Sequence, residues 1–294
     1  MNNNLSPAIC AVIVTWFPDS EFLTRLDTVM QQADRIIVVD NASTGDTLLM
    51  LCQLSSTVTL ISNTVNLGVA SAFNIGVKHA QALGFQWVLL LDQDSRLAAD
   101  MLASMRCELA LLPTQSVAVL GAKFIDPRRQ PHVSASQQHG VKAVDWVISS
   151  GSLIAVSVWQ TLHGFREDFF IDFVDTEYCL RAQRLGYQIL QTQAALMRHC
   201  VGEHSAHHIL GHRTVTSNHS ADRRYYITRN FMVMLHESDQ HPYGGWIVRG
   251  IYASFKSIRR IVLYERDKRR KLAAIFQGWQ DGIMGRMGQR GSRP

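Results

Sequence analysis

The sequence predicts an α/β fold: a mostly parallel central sheet with helices on both faces, followed by a helical C-terminal extension. Three observations predict it. Apolar runs at residues 9–14 and 87–91 lack the polar alternation of a half-exposed strand, as expected for strands covered on both faces. Segments with helical spacing separate the runs at short intervals, the pattern of parallel strands joined by crossover helices. Acidic residues stand directly after two apolar runs, Asp40 after 35–39 and Asp92 after 87–91, where the carboxyl ends of parallel strands open into a ligand crevice.

The first strand is expected at residues 9–14. Behind a cap at Asp19 or Ser20, Phe22, Leu23, Leu26, Val29 and Met30 then recur at helical spacing. Residues 35–39 form the second strand, ending at Asp40-Asn41, and residues 57–61 a third. Asn66-Leu67-Gly68 leads into a helix over 69–83, and the 87–91 strand follows. Residues 126–140, with Pro127, Arg128, Arg129 and Pro131, read as an exposed excursion. Trp146-Val147-Ile148 is expected as a strand running into Ser149-Ser150-Gly151-Ser152, whose small side chains let a ligand approach the backbone. Val174, Tyr178, Arg181 and Leu185 share one helical stripe closed by Gly186. Asp172 can cap that helix, and Asp175 lies in its first turn, where the dipole favours a carboxylate. The expected division is a catalytic domain over 1–220 and a basic helical extension over 221–294.

With 294 residues, 47% of them hydrophobic, the chain can bury one large core plus a small appendage. Five cysteines lie far apart with no C-x-x-C pair, so neither a zinc ribbon nor a disulfide framework is indicated. The polar start and the lack of a run of about 18 apolar residues argue against secretion and membrane spanning, and a cytoplasmic location is expected. The net charge of +5 hides an asymmetry: residues 246–294 carry twelve Lys/Arg against Glu265, Asp267 and Asp281, and the remainder is mildly acidic. Trp246, Ile251, Phe255, Ile258 and Val262 fall at helical spacing with Lys256, Arg259 and Arg260 among them. Such a helix can lie in a membrane interface, or pack on the catalytic domain or on a second subunit in a homodimer. A nucleic-acid-binding module is the less favoured rival from another functional class.

Asp92-Gln93-Asp94 follows the 87–91 strand. Carboxylate oxygens are hard ligands suited to Mg²⁺ or Mn²⁺, and Mg²⁺ takes only one or two of them, leaving room for substrate phosphates. A nucleotide diphosphate is therefore expected. No G-x-G-x-x-G follows the first strand, which disfavours a dinucleotide oxidoreductase. Thr15-Trp16-Phe17-Pro18 stands where a sugar nucleotidylyltransferase would carry a glycine- and arginine-rich loop. His204, His207, His208, His212 and His219 lack the Cys pairs or H-E-x-x-H spacing of a zinc site and read as loop histidines.

Over roughly the first 230 residues the chain resembles the family 2 glycosyltransferases, which have the GT-A fold, and more closely their bacterial dTDP-rhamnosyltransferase branch. The landmarks are Val14-Thr15-Trp16, Val38-Val39-Asp40-Asn41, Asn66-Leu67-Gly68-Val69-Ala70 with Asn74 and Gly76, Asp92-Gln93-Asp94-Ser95, the stretch from Phe169 to Arg181, and Arg224-Tyr225-Tyr226 with Arg229-Asn230. The Asp-Gln-Asp-Ser and Ile-Asp-Phe-Val-Asp forms are those that look like the rhamnose branch. The resemblance implies inverting, metal-dependent transfer of L-rhamnose from dTDP-L-rhamnose to a glycan or lipid-linked glycan acceptor. It implies nucleoside contacts from Thr15 and Asp40, with Asp92 nearer the ribose, and phosphate or sugar contacts from Asn66 and Gly68. Asp94 and His199 are the implied metal ligands. Asp175 is the implied catalytic base, with Asp172 as alternate because Val174-Asp175 replaces the usual Glu-Asp pair. Arg224 and Arg229, with Arg223 behind them, are candidates for a phosphate clamp.

Overall fold

The computed structural model describes residues 7–54, 56–125, 140–198, 205–209, 212–216, 218–237 and 244–291. The chain divides into two compact units, one made of Met1–Glu167 and Asp175–Cys200, the other of Asp168–Val174 and Val201–Pro294.

The first unit is a mixed sheet with crossover helices. In chain order it contains β1 (Ile9–Thr15), α1 (Phe22–Met30), β2 (Arg35–Asp40), α2 (Gly45–Cys52), β3 (Val58–Ser62), α3 (Gly68–Ala82), β4 (Trp87–Asp92), β5 (Arg96–Leu97), α4 (Met101–Ala110), β6 (Val117–Ile125), β7 (Val141–Ala143), β8 (Ser152–Ala155) and α5 (Val156–Thr161); α6 (Val174–Arg184) and β9 (Gln188–Arg198) follow. The sheet order is β3-β2-β1-β4-β8-β6-β9-β5, with β7 also paired to β9. Strands β3, β2, β1 and β4 run parallel, and every residue of β1 is buried, which is why these strands read as unbroken apolar runs. Gly76 lets α3 lie on β1: a Cβ there would come within 2.3 Å of the Val12 side chain.

The other half of the sheet differs from the expected one. Residues 146–148 form no strand. The strand is Ser152–Ala155, and it pairs antiparallel with both β4 and β6. The helix after β1 also starts without the expected side-chain cap, since Asp19 turns its carboxylate to the Glu21 amide and to Arg25. Apart from Gly140, the excursion expected at 126–140 lies outside the described residues.

The second unit holds the hairpin β10 (Ser205–Ile209) and β11 (His212–Thr216) and three helices, α7 (Ala221–His236), α8 (Gly244–Tyr264) and α9 (Lys268–Ile283). Helix α9 lies directly on α7, because Gly278 and Gly282 bring their backbones to the Tyr225 and Arg229 carbonyls, where a Cβ would stand 2.5 and 2.8 Å away. Compaction thus divides the chain near residue 200 and adds residues 168–174 to the helical unit, whereas the expected boundary lay at 220. Side chains from α7 hold that short segment, and sequence order does not show this.

Candidate active site

Parallel register sets out the site. Thr15 pairs with Asp40 across β1 and β2, and Val14 pairs with Asp92 across β1 and β4, so Thr15, Asp40 and Asp92 share the carboxyl edge of the sheet. The Thr15 hydroxyl donates to Asp40 Oδ1 at 2.8 Å. Ser43 adds its hydroxyl to Oδ1 at 2.6 Å and its amide to Oδ2 at 2.7 Å. Thr15 and Asp40 are fully buried. A carboxylate accepts about four hydrogen bonds, so three are spent shaping the turn after β2, and a nucleoside contact has about one lone pair left to use.

Beside them, Asn41 ties the third strand and the α3 loop to this corner. Its Nδ2 donates to the Gly68 carbonyl at 3.0 Å, and its Oδ1 accepts from Asn63 Nδ2 at 2.9 Å. Gly68 has a φ of 83°, and its amide donates to Asn66 Oδ1 at 2.9 Å. Asn66 and Gly68 therefore stand at the start of a helix as expected, but the Gly68 N–H already serves the loop rather than facing a phosphate.

In Asp92-Gln93-Asp94 the middle residue has a separate task. Gln93 Oε1 accepts the Trp16 amide at 2.7 Å while Nε2 donates to the Trp16 carbonyl, locking the β1 and β4 loops together. Arg25, buried on the apolar face of α1, donates to the Gln93 carbonyl at 2.9 Å. Asp92 is half-buried and Asp94 exposed. The Ser150 hydroxyl meets the Asp92 amide at 3.4 Å, and the amide of neighbouring Ser149 donates to Asp175 Oδ2 at 3.2 Å. The Ser149-Ser150 turn so connects Asp175, at the start of α6, to the strand end that carries Asp92. Two carboxylates at a strand end form a donor set that suits Mg²⁺ or Mn²⁺. Among the described residues no group of three or more His, Cys, Asp or Glu side chains forms a ready metal cage, and His199 lies outside those residues.

The remaining candidates sit in the second unit. Phe170, Asp172 and Phe173 all have φ near 64°, a left-handed conformation that costs a non-glycine residue on the order of 1 kcal/mol or more. Helix α7 holds them there. Asn230 Nδ2 lies within 3.0 Å of the carbonyls of Phe169, Ile171 and Asp172, and Arg229 Nη2 donates to those of Asp168 and Phe169. Asp172 is no ordinary cap: its carboxylate takes Nε and Nη2 of Arg223. Arg229 is fully buried among these carbonyls and that of Gly288, so its donors hold backbone and not phosphate. Arg224 is buried too, paired at 2.8 Å with Glu265, which Lys271 also meets at 2.9 Å. Both arginines of the expected phosphate clamp are thus engaged within this unit, Arg229 with backbone carbonyls and Arg224 with Ser257 and Glu265.

Three residues of this machinery were given no role by the sequence reading. Arg25 could have been found as a charge on the buried stripe of α1, between Phe22 and Leu26. Gln93 and Asn230 stood in quoted motifs, but their partners are backbone groups distant in sequence, so the motifs did not show what they hold.

Known proteins share this edge. Residues 10–153 match the family described as Glycosyl transferase family 2. The chain is 28% identical over 301 residues, 97% of each chain, to the dTDP-rhamnosyl transferase RfbF of Shigella flexneri. The match marks the chain as a glycosyltransferase. The family match spans the Thr15, Asp40 and Asp92-Gln93-Asp94 edge and stops before Asp172 and Asp175. A galactofuranosyltransferase, GlfT1 of Mycolicibacterium smegmatis, is 37% identical over 91 residues, 30% of each chain. Among solved structures, S. aureus TarS 1-349 in complex with UDP-GlcNAc aligns with a TM-score of 0.61 at 13% identity, covering 95% of this chain and 83% of that one. GalNAc-T7 with UDP, GalNAc and Mn²⁺ aligns with a TM-score of 0.55 at 13% identity, covering 83% and 53%. These two likenesses show the fold. The chain thus has the expected α/β architecture, with C-terminal helices after the sheet.

Proposed function

We propose that this glycosyltransferase moves L-rhamnose from dTDP-L-rhamnose, with inversion, to a hydroxyl of a lipid-linked bacterial surface-glycan precursor of the O-antigen kind, working in the cytoplasm at the inner face of the membrane. The observation that carries the donor is the similarity to a dTDP-rhamnosyl transferase along nearly the whole of both chains.

The acceptor oxygen attacks the anomeric carbon from the side opposite the diphosphate. The carbon–oxygen bond to the diphosphate breaks, its electron pair leaves with dTDP, and the acceptor proton passes to a carboxylate. Asp175 is that base in our reading. It is half-buried at the start of α6 and oriented by the Ser149 amide beside the Asp92 strand end, whereas Asp172 is already engaged by Arg223. Thr15 and Asp40 shape the nucleoside corner, with Trp16 and Phe17 exposed beside it. Asp94, with Asp92 next to it, would hold Mg²⁺ or Mn²⁺, and the bound ion would supply neutralising charge to the departing diphosphate.

A galactofuranosyl donor is the second reading, favoured by the GlfT1 similarity. A panel of dTDP-L-rhamnose, UDP-galactofuranose and UDP-GlcNAc, scored by nucleoside diphosphate release with an acceptor present, decides between them. Preference for dTDP-L-rhamnose by at least roughly tenfold is expected. Preference for UDP-galactofuranose replaces the rhamnosyl reading and leaves the glycosyltransferase assignment intact.

A further inference from the structure

Helices α7, α8 and α9 border an open groove of about 810 Å³, with Ile227 and Phe231 from α7, Ile251 and Phe255 from α8, and Phe276 and Trp279 from α9 among its walls. Pockets that take small organic ligands span roughly 300–1,000 Å³. The groove is open at a rim of large apolar groups: Phe255 is 71% exposed, Phe276 57% and Trp279 47%. The exposed apolar surface runs on along α8 through Val248, Tyr252, Val262 and Leu263. Ile251, Phe255, Ile258 and Val262 of the stripe the sequence marked out are all exposed, uncovered by the described residues. Contiguous apolar surface of this kind marks an interaction site.

Charge narrows the choice of occupant. Lys256 and Arg260, one turn apart on α8, also line the groove, and neither forms an ion pair among the described residues. Arg259 is exposed on the same helix, and residues 246–294 hold twelve basic residues against three acids. A second copy packing α8 on α8 through a two-fold axis would bring together helices that carry Arg249, Lys256, Arg259 and Arg260 and no acid to pair with them. An occupant with an apolar chain and an anionic head satisfies both halves of the surface.

We propose that the groove binds an anionic membrane lipid, its hydrocarbon chain lying between α7, α8 and α9 and its phosphate against Lys256 and Arg260, so that the protein docks on an anionic bilayer. The proposal needs no assignment of sugar donor, and its readout is independent of glycosyl transfer.

The test uses the intact protein. It should cosediment with phosphatidylglycerol–phosphatidylcholine vesicles and not with phosphatidylcholine alone, and the binding should weaken as salt rises. The double variant Lys256→Glu/Arg260→Glu should lose at least roughly tenfold in vesicle affinity. By calorimetry, dodecyl phosphate below its micelle concentration should bind, inorganic phosphate should not, and Phe255→Ser/Trp279→Ser should abolish dodecyl phosphate binding. Both exposed positions should accept serine with an unchanged melting temperature. Equal binding of dodecyl phosphate and inorganic phosphate overturns the chain site. Sedimentation with neither vesicle or equally with both overturns the membrane. If Phe255→Ser/Trp279→Ser converts a dimer to a monomer and leaves vesicle binding unchanged, the face belongs to a second copy.

Discussion

Arg223 grips Asp172 through two nitrogens: Nε lies 3.2 Å from both carboxylate oxygens and Nη2 3.1 Å from one. That contact separates two acids which the sequence left in competition. A carboxylate whose oxygens are held by a forked guanidinium has no open lone pair aimed at an acceptor hydroxyl. Asp175→Asn should therefore lower turnover by about 10²–10⁴-fold while donor affinity, read by calorimetry, stays the same. Asp172→Asn should keep most of its turnover. A dead Asp172→Asn with a normal Asp175→Asn would reverse the assignment.

The same pair has a pH consequence. Burial pushes the Asp172 carboxyl above the ordinary range, against the opposing pull of Arg223. A group whose folded pKa is raised favours the fold in its protonated form. That stabilisation is complete below the unfolded value of about 3.9 and is lost as pH rises through the folded value. Asp172→Asn removes the titration. The melting temperature of the variant relative to the parent should thus be highest near neutral pH and fall as pH drops toward 4. A difference that is flat with pH, or that grows on acidification, would contradict the raised carboxyl.

Asp94→Ala should lose most activity and keep its fold by circular dichroism, since an exposed side chain at a strand end contributes little to the core. Excess chelator should do the same to the parent protein, with activity restored by Mg²⁺ or Mn²⁺. Full activity after verified metal removal would rule out the role given to Asp94.

The parallel half of the sheet was legible because its strands are buried on both faces, so that β1, β2 and β4 each read as one apolar run ending in the residue that matters, Thr15, Asp40 or Asp92. The other half was not. Strand β8 is four residues, Ser152–Ala155, hidden behind small side chains, and a more apolar neighbour, Trp146-Val147-Ile148, drew the assignment away from it. The positions of Asp175 and Asp94 in the chain were readable as motifs. What surrounds them was not, since the Ser149 amide reaches Asp175 and the Gln93 side chain reaches Trp16, partners fixed only by tertiary structure. Arg224 and Arg229 show the converse difficulty. An arginine on a helix says nothing of burial, and here both guanidinium groups are engaged inside the helical unit, by Glu265 and by the carbonyls of the 168–174 segment.

Glu265 gives the sharpest test of what Arg224 does. It is buried and meets Arg224 at 2.8 Å and Lys271 at 2.9 Å, while Lys271 also donates to Asn218 at 2.7 Å. Burial draws the Arg224 pKa down, and Glu265 opposes that pull more than any other group. Removing the single anion leaves two buried cations facing each other. Glu265→Ala should cost on the order of 3–5 kcal/mol, the range for breaking a buried pair from one side, and appear as a lower urea midpoint. Replacing all three charges, Arg224→Met/Glu265→Leu/Lys271→Met, should recover most of that loss, because no uncompensated charge remains and the apolar side chains can pack. The triple variant also separates the two roles open to Arg224. If its guanidinium serves only this cluster, the refolded triple variant binds the nucleotide-sugar donor as the parent does. A stable triple variant with donor affinity reduced by tenfold or more, roughly what loss of one charge-assisted phosphate contact would cause, would return Arg224 to the phosphate site.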